Sequence, residues 1–166
     1  TGVFDESGFG VTVGAYTPPS DEEKKALIFV HGWNMNDWEY EKFSETMFKR
    51  LWHQGYKGRL CAFRWATLTS VDSYNTCEFR AWKYGKSLKE FVASLPSDYS
   101  KSVAAHSMGN VVTGSALQRG MSINRYFLME AAVPGGCFSD VVNNYQKFFD
   151  SEQTSPTPDT VSDLGY

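Results

Sequence analysis

Ala105-His106-Ser107-Met108-Gly109 sets a serine between two small residues, with an apolar strand-like run before it and a helix-like stretch after it. This arrangement constrains the fold more than any other feature. A small-x-Ser-x-Gly run at a strand-to-helix junction is the pattern of a nucleophile elbow, in which the serine hydroxyl stands exposed at the end of a sheet. The turn is so sharp that the residues two before and two after the serine have to be small. Alanine at 105 adds only a methyl group, and Gly109 adds nothing. The helix that follows aims its positive end at any negative charge that develops beside the serine.

Around the elbow, strand-like and helix-like stretches alternate, which predicts a mostly parallel sheet covered by helices. Ala26-Leu27-Ile28-Phe29-Val30 is an unbroken apolar run, as expected of a strand buried on both faces. Residues 37–54 are predicted helical. Asn36 or Asp37 can cap them, Glu39 and Glu41 stand in the first turn, Lys49, Arg50 and His53 in the last, and Gly55 stops the helix. Tyr40, Phe43, Met47, Phe48 and Leu51 predict its apolar face. Residues 59–65 read as the next strand. A second helix over about 77–95 carries Ala81, Tyr84, Leu88, Val92 and Leu95 on one side and ends at Pro96. Residues 102–105 lead into the elbow, 108–118 form a helix closed by Gly120, and 126–129 begin another strand. Residues 9–16 have strand composition and 138–149 helical character. One domain over 1–166 is predicted, with an edge strand and polar connector over 1–23, a core over 24–150 and a loop-like tail over 151–166.

Composition removes several function classes. A net charge of -3 without any Lys/Arg cluster gives no reason to expect nucleic acid. No apolar run approaches the ~20 residues that span a bilayer, so no transmembrane segment is expected. Cys61, Cys77 and Cys137 are odd in number and lack CxxC spacing, which predicts buried thiols rather than a zinc site or disulfide framework. Nothing has metal-ligand spacing or forms a glycine-rich phosphate loop, so no cofactor is expected. The chain starts at Thr1 with no signal-like segment, which predicts a processed or excised piece and leaves cytoplasmic and exported locations both open.

A second constellation, His31-Gly32-Trp33-Asn34, directly follows the apolar strand. A loop in this place brings one backbone N–H to an oxyanion, and the residue after the nucleophile brings the other. That assigns Trp33 and Met108, with His31 orienting its loop. Trp33 and Trp65 fall at strand C-terminal ends, where open α/β sheets bind ligands. His31, Trp65 and the polar outlier Glu130 are the candidate pocket residues, and residues 67–75 the candidate cover.

Taken together, Ala26–Trp33 and Ala105–Gly109 resemble the α/β-hydrolase superfamily, on its esterase and lipase side. Ala-His-Ser-Met-Gly is similar to the elbow of small, lidless bacterial lipases. Residues 48–63 and 131–134 resemble poorly characterised bacterial α/β-hydrolase-like proteins. The resemblance implies a three-layer α/β/α sandwich, a Ser–acid–His triad with Ser107 as nucleophile, and a small-molecule ester substrate. It implies an acid after a later strand, for which Asp140 is the first candidate and Asp159 and Asp163 stand behind it.

The family's histidine comes after the acid, and here none follows Ser107. The three are His31, His53 and His106. His53 reads as a dipole-compensating residue at a helix end, and His106 in this motif points away from the serine. The fold is therefore expected to be C-terminally incomplete, with the histidine supplied from outside the chain. A truncated sheet would expose a strand edge and favour self-association. Two functions follow as expectations: a serine hydrolase cleaving a carboxylic ester, or, as the alternative, a catalytically incomplete hydrolase-like module used for binding or assembly.

Overall fold

The computed structural model describes residues 2–4, 11–13, 20–70 and 73–133. Two short strands, β1 (Gly2–Phe4) and β2 (Val11–Val13), pair antiparallel as a separate two-stranded sheet. Of the expected strand over 9–16, only Val11–Val13 falls among the described residues, and it does not join the main sheet. The remaining elements alternate: β3 (Lys25–Val30), α1 (Asp37–His53), β4 (Arg59–Phe63), α2 (Tyr74–Ser94), β5 (Ser100–His106), α3 (Gly109–Gln118) and β6 (Arg125–Met129). The four strands β3 to β6 are all parallel, in the order β4-β3-β5-β6. Parallel neighbours need crossover connections, and the three helices supply them. The helix expected over 138–149, the tail over 151–166 and Cys137 lie outside the described residues.

The two-residue period of the strands sorts their side chains onto two faces. Ala26, Ile28 and Val30 of β3 join Val103 and Ala105 of β5 in one core with Ala81, Leu88 and Val92 of α2 and Val111, Val112 and Ala116 of α3. Full burial of such aliphatic side chains contributes roughly 1.5–3 kcal/mol each. Phe29 points to the opposite face, where Phe43 of α1 stacks on it with ring centroids 5.0 Å apart. The sheet therefore lies between α1 on one side and α2 with α3 on the other.

Local chemistry explains where the helices start and stop. Asn36 is the cap of α1. Its side chain accepts the Glu39 N–H at 2.9 Å, and the Glu39 carboxylate accepts the Asn36 N–H at 3.0 Å. A reciprocal pair of this kind satisfies two otherwise orphaned donors. Gly55 follows the helix at φ 84°, a conformation that glycine adopts without a Cβ clash. The expected apolar face of α1 covers the sheet only thinly. No residue of this helix is buried, and Phe48 pairs with Trp52 at the surface. The reason is that α1 alone covers this face among the described residues, so most of its aromatic surface has no second layer against it. Cys77 is buried and Cys61 half-buried, both as free thiols. No helix among the described residues is long and apolar enough to cross a membrane.

The two helices on the opposite face meet through a glycine. A Cβ on Gly85 would lie 2.3 Å from Ser115 Oγ and 2.8 Å from the Ala116 backbone nitrogen. Ser115 is itself held, its hydroxyl donating to the Trp82 carbonyl at 2.7 Å. Gly114, one residue earlier, has open space at its Cβ position. Opposite outcomes follow in urea unfolding. Gly85→Ala is expected to lose about 1–3 kcal/mol from overpacking despite better helix propensity. Gly114→Ala is expected to gain about 0.5–1 kcal/mol.

Candidate active site

The C-terminal end of β3 leads to α1 on one face, and the C-terminal end of β5 leads to α3 on the other. The two chains diverge, and a crevice opens between the strand ends. Open α/β sheets bind ligands at such a switch point. One wall is the segment His31-Gly32-Trp33-Asn34 and the other is His106-Ser107-Met108.

The walls touch because glycine stands at both contact points. A Cβ on Gly32 would lie 3.0 Å from Ser107 Cβ and 3.0 Å from His106 Nδ1. A Cβ on Gly109 would lie 2.5 Å from the Val30 carbonyl oxygen and 2.6 Å from that of His31. Ser107 itself has φ 50°. For a non-glycine residue this left-handed backbone costs roughly 1–2 kcal/mol, so the surroundings must over-determine it. They do. The Ser107 N–H donates to the Met129 carbonyl at 2.9 Å, and the Ser107 carbonyl accepts the N–H of Asn110 at 3.0 Å and of Ala132 at 3.2 Å. Among the described residues, no hydrogen bond engages the main-chain N–H of Trp33 or of Met108. These are the two donors expected from the loop motifs, one on each side of the crevice, and Met108 stands where α3 begins.

His31 is locked on the far side of its loop. Its Nδ1 donates to the Gly32 carbonyl at 2.8 Å, and its Nε2 accepts the Trp65 N–H at 3.2 Å. The Trp65 indole N–H donates back to the His31 carbonyl at 2.8 Å, and the two rings stack with centroids 5.5 Å apart. Both bonds to the imidazole need the neutral ring with its proton on Nδ1. Its remaining lone pair is occupied, and it has none to offer as a base. Burial, the main cause, holds the His31 pKa below its ordinary value. His31 and Trp65 border a cavity of about 510 Å³ between the β3 and β4 loops, with Met35, Trp38, Tyr40 and the ion pair of Arg64 with Asp37 around it.

The other sequence candidates scatter. His106 turns toward α1, its ring 6.4 Å from that of Phe43 and its Nε2 3.4 Å from the Glu130 carboxylate. Glu130 follows β6 at φ 45° with an exposed side chain, and it does not border the 510 Å³ cavity. His53 lies in the last turn of α1. Asp140, Asp159 and Asp163 lie outside the described residues. In the candidate cover, Thr67 Oγ1 donates to the Met35 carbonyl at 3.0 Å, tying the β4 loop to the β3 loop. Among the described residues, no group of three His, Cys, Asp or Glu side chains is placed to hold a metal.

One residue at the site escaped the motifs. Asn110 is fully buried directly beneath the elbow, and Tyr126 of β6 donates to its Oδ1 at 2.7 Å. The available signal was a polar residue three positions after the serine, in a helix whose neighbours Val111 and Val112 are apolar.

Residues 17–141 match the family described as "Alpha/beta hydrolase of unknown function (DUF900)". Two solved structures are similar, polyneuridine aldehyde esterase and a histidine-to-alanine mutant of it. Each is 20% identical, with a TM-score of 0.46, over 80% of this chain and 49% of its own. The chain thus spans about half the length of that esterase. No curated protein matches it.

The His31 geometry generates a pH dependence. The unfolded chain takes up the histidine proton near pH 6.5, and the folded chain only at lower pH. The His31 contribution to stability is therefore intact above that value. It falls as the pH drops through it, by at most about 1.4 kcal/mol per pH unit. Urea midpoints between about pH 7.5 and 5.5 are expected to fall more steeply for the wild type than for His31→Gln.

Proposed function

The chain belongs to the α/β-hydrolase family of unknown function, and on that premise we propose that it carries the nucleophile and oxyanion hole of a serine hydrolase that cleaves a carboxylic ester. Ser107 Oγ attacks the ester carbonyl while its proton passes to a general base. The tetrahedral oxyanion is held by the N–H groups of Trp33 and Met108, with the N-terminus of α3 adding its positive end. The alkoxide leaves with a proton from the same base, and water then attacks the acyl-serine to return the enzyme. Trp65 and His31 brace the loop that carries the Trp33 N–H from its far side, and Asp140 is the candidate acid. No cofactor enters this chemistry.

The observation that carries the reading is the left-handed backbone of Ser107, set opposite the Gly32 loop between two unengaged N–H groups. A binding surface has no need of that strained turn. The base is the open component. His31 has its lone pair occupied by the Trp65 N–H, and His106 faces Phe43 and Glu130. The base is therefore assigned to polypeptide outside these 166 residues. That same gap is what favours the second reading, a hydrolase-like binding or assembly module.

Fluorophosphonate labelling read by intact mass separates the two. Stoichiometric labelling that disappears in Ser107→Ala supports the hydrolase. A wild type that stays unlabelled, in this chain and in any longer form carrying it, leaves the binding module. Gly32→Val is expected to lower the labelling rate by about 100-fold or more by pushing the Trp33 N–H out of line, since one oxyanion donor is worth ~100- to 1,000-fold.

A further inference from the structure

Asn110 sits one residue into α3 with no exposed surface. A buried amide costs roughly 1–3 kcal/mol unless its hydrogen bonds are made. Here they are made in one particular sense. Nδ2 spends both hydrogens on main-chain carbonyls, that of Ala105 at 3.0 Å and that of Ser107 at 2.9 Å. Oδ1 accepts the Tyr126 hydroxyl at 2.7 Å. The amide has a single allowed orientation, because its oxygen turned the other way would face two carbonyl oxygens. An asparagine that caps a helix accepts from N–H groups. This one donates to carbonyls, so capping does not explain it.

Tyr126 belongs to β6, the strand beyond the elbow. Burial raises its phenol pKa, against a smaller opposing effect of a hydrogen bond with Thr113, and it remains a donor at any working pH. The chain Tyr126–Asn110–Ser107 thus links β6, the start of α3 and the turn itself. Three donors converge on the Ser107 carbonyl. The Asn110 and Ala132 N–H groups belong to the backbone path, and among the described residues only the Asn110 amide reaches that carbonyl from a side chain.

We propose that Asn110 and Tyr126 are a positioning pair that holds Ser107 in its left-handed turn and so sets the direction of its hydroxyl. Neither touches the reacting atoms. The catalytic consequence rests on the hydrolase reading above, whereas the hold on the turn does not. A merely structural pair would stabilise the whole sheet evenly. A positioning pair acts on the elbow in particular.

Two readouts on Tyr126→Phe, which keeps the ring and removes one hydroxyl, decide this. In amide hydrogen exchange, the Ser107 and Ala132 N–H groups are expected to exchange about 10-fold faster or more, while those of Ile28 and Val103 in the central strands keep their rates. In fluorophosphonate labelling, the maximal rate is expected to fall about 10-fold at an unchanged half-saturating probe concentration. Asn110→Asp, which sets a carboxylate against two carbonyls, is expected to do more of the same. If it fails to fold, Tyr126→Phe still carries the test. Elbow amides that do not change, or that speed up together with the central strands, overturn the proposal. Loosened elbow amides with an undiminished labelling rate overturn it too. A wild type that never labels sinks the hydrolase reading alone, and the exchange result then decides the pair by itself.

Discussion

The contact between the end of β3 and the start of α3 is made by backbone on both sides. The carbonyls of Val30 and His31 occupy the space where a side chain at 109 would stand. Everything in the crevice depends on that approach. It draws the Gly32 loop onto Ser107 and seats the first turn of α3 against the sheet. A side chain at 109 cannot be accommodated by a rotamer change, because both neighbours are main chain. Gly32 is less tightly enclosed, since the nearest atoms, His106 Nδ1, Ser107 Cβ and the His106 carbonyl oxygen, lie 3.0–3.1 Å from its Cβ position.

The fold was legible wherever a local pattern had a single physical cause. The run Ala26–Val30 admitted only a buried strand, and it lies at the centre of the sheet with neighbours on both sides. The charges and Gly55 bounded α1 correctly to within one residue. Strand ends were less legible. β5 runs from Ser100 to His106, longer than its apolar residues indicated, because pairing with β3 begins at Ser100 and pairing with β6 reaches His106. The exposure of α1 was not legible at all. Helical spacing of Tyr40, Phe43 and Phe48 fixes which residues share a side. It does not say how much protein lies opposite them.

The candidate site divides in the same way. Ser107 and Gly109 were visible because a sharp turn restricts the size of the residues around it, and size can be read from a sequence. The state of His31 could not be read there. Its tautomer depends on Trp65, 34 positions along the chain, and no spacing rule connects two loops on different strands. Asn110 was hidden for a related reason. Its function is to donate to carbonyls of the turn that precedes it while accepting from a tyrosine on the next strand. Only the parallel pairing of β5 with β6 brings that tyrosine within reach.

The two ends of the sheet handle positive φ differently. Where helices return to strands, the left-handed positions among the described residues are Gly55 and Gly120, at φ 84° and 83°. Glycine takes this conformation without strain. Where strands run out toward the crevice, the left-handed positions among the described residues are Asn34, Ser107 and Glu130, one after each of β3, β5 and β6. Asparagine enters this region more readily than most residues, whereas Ser107 and Glu130 bear their side chains at roughly 1–2 kcal/mol of strain. Glycine at those positions would relieve it and make the same turns. A chain that places glycine at one end and strained polar residues at the other is holding side chains where a plain turn would be more stable. Such strain persists only where the surrounding structure over-determines it. This asymmetry gathers the left-handed non-glycine residues at the C-terminal end of the sheet, the end where Ser107 stands.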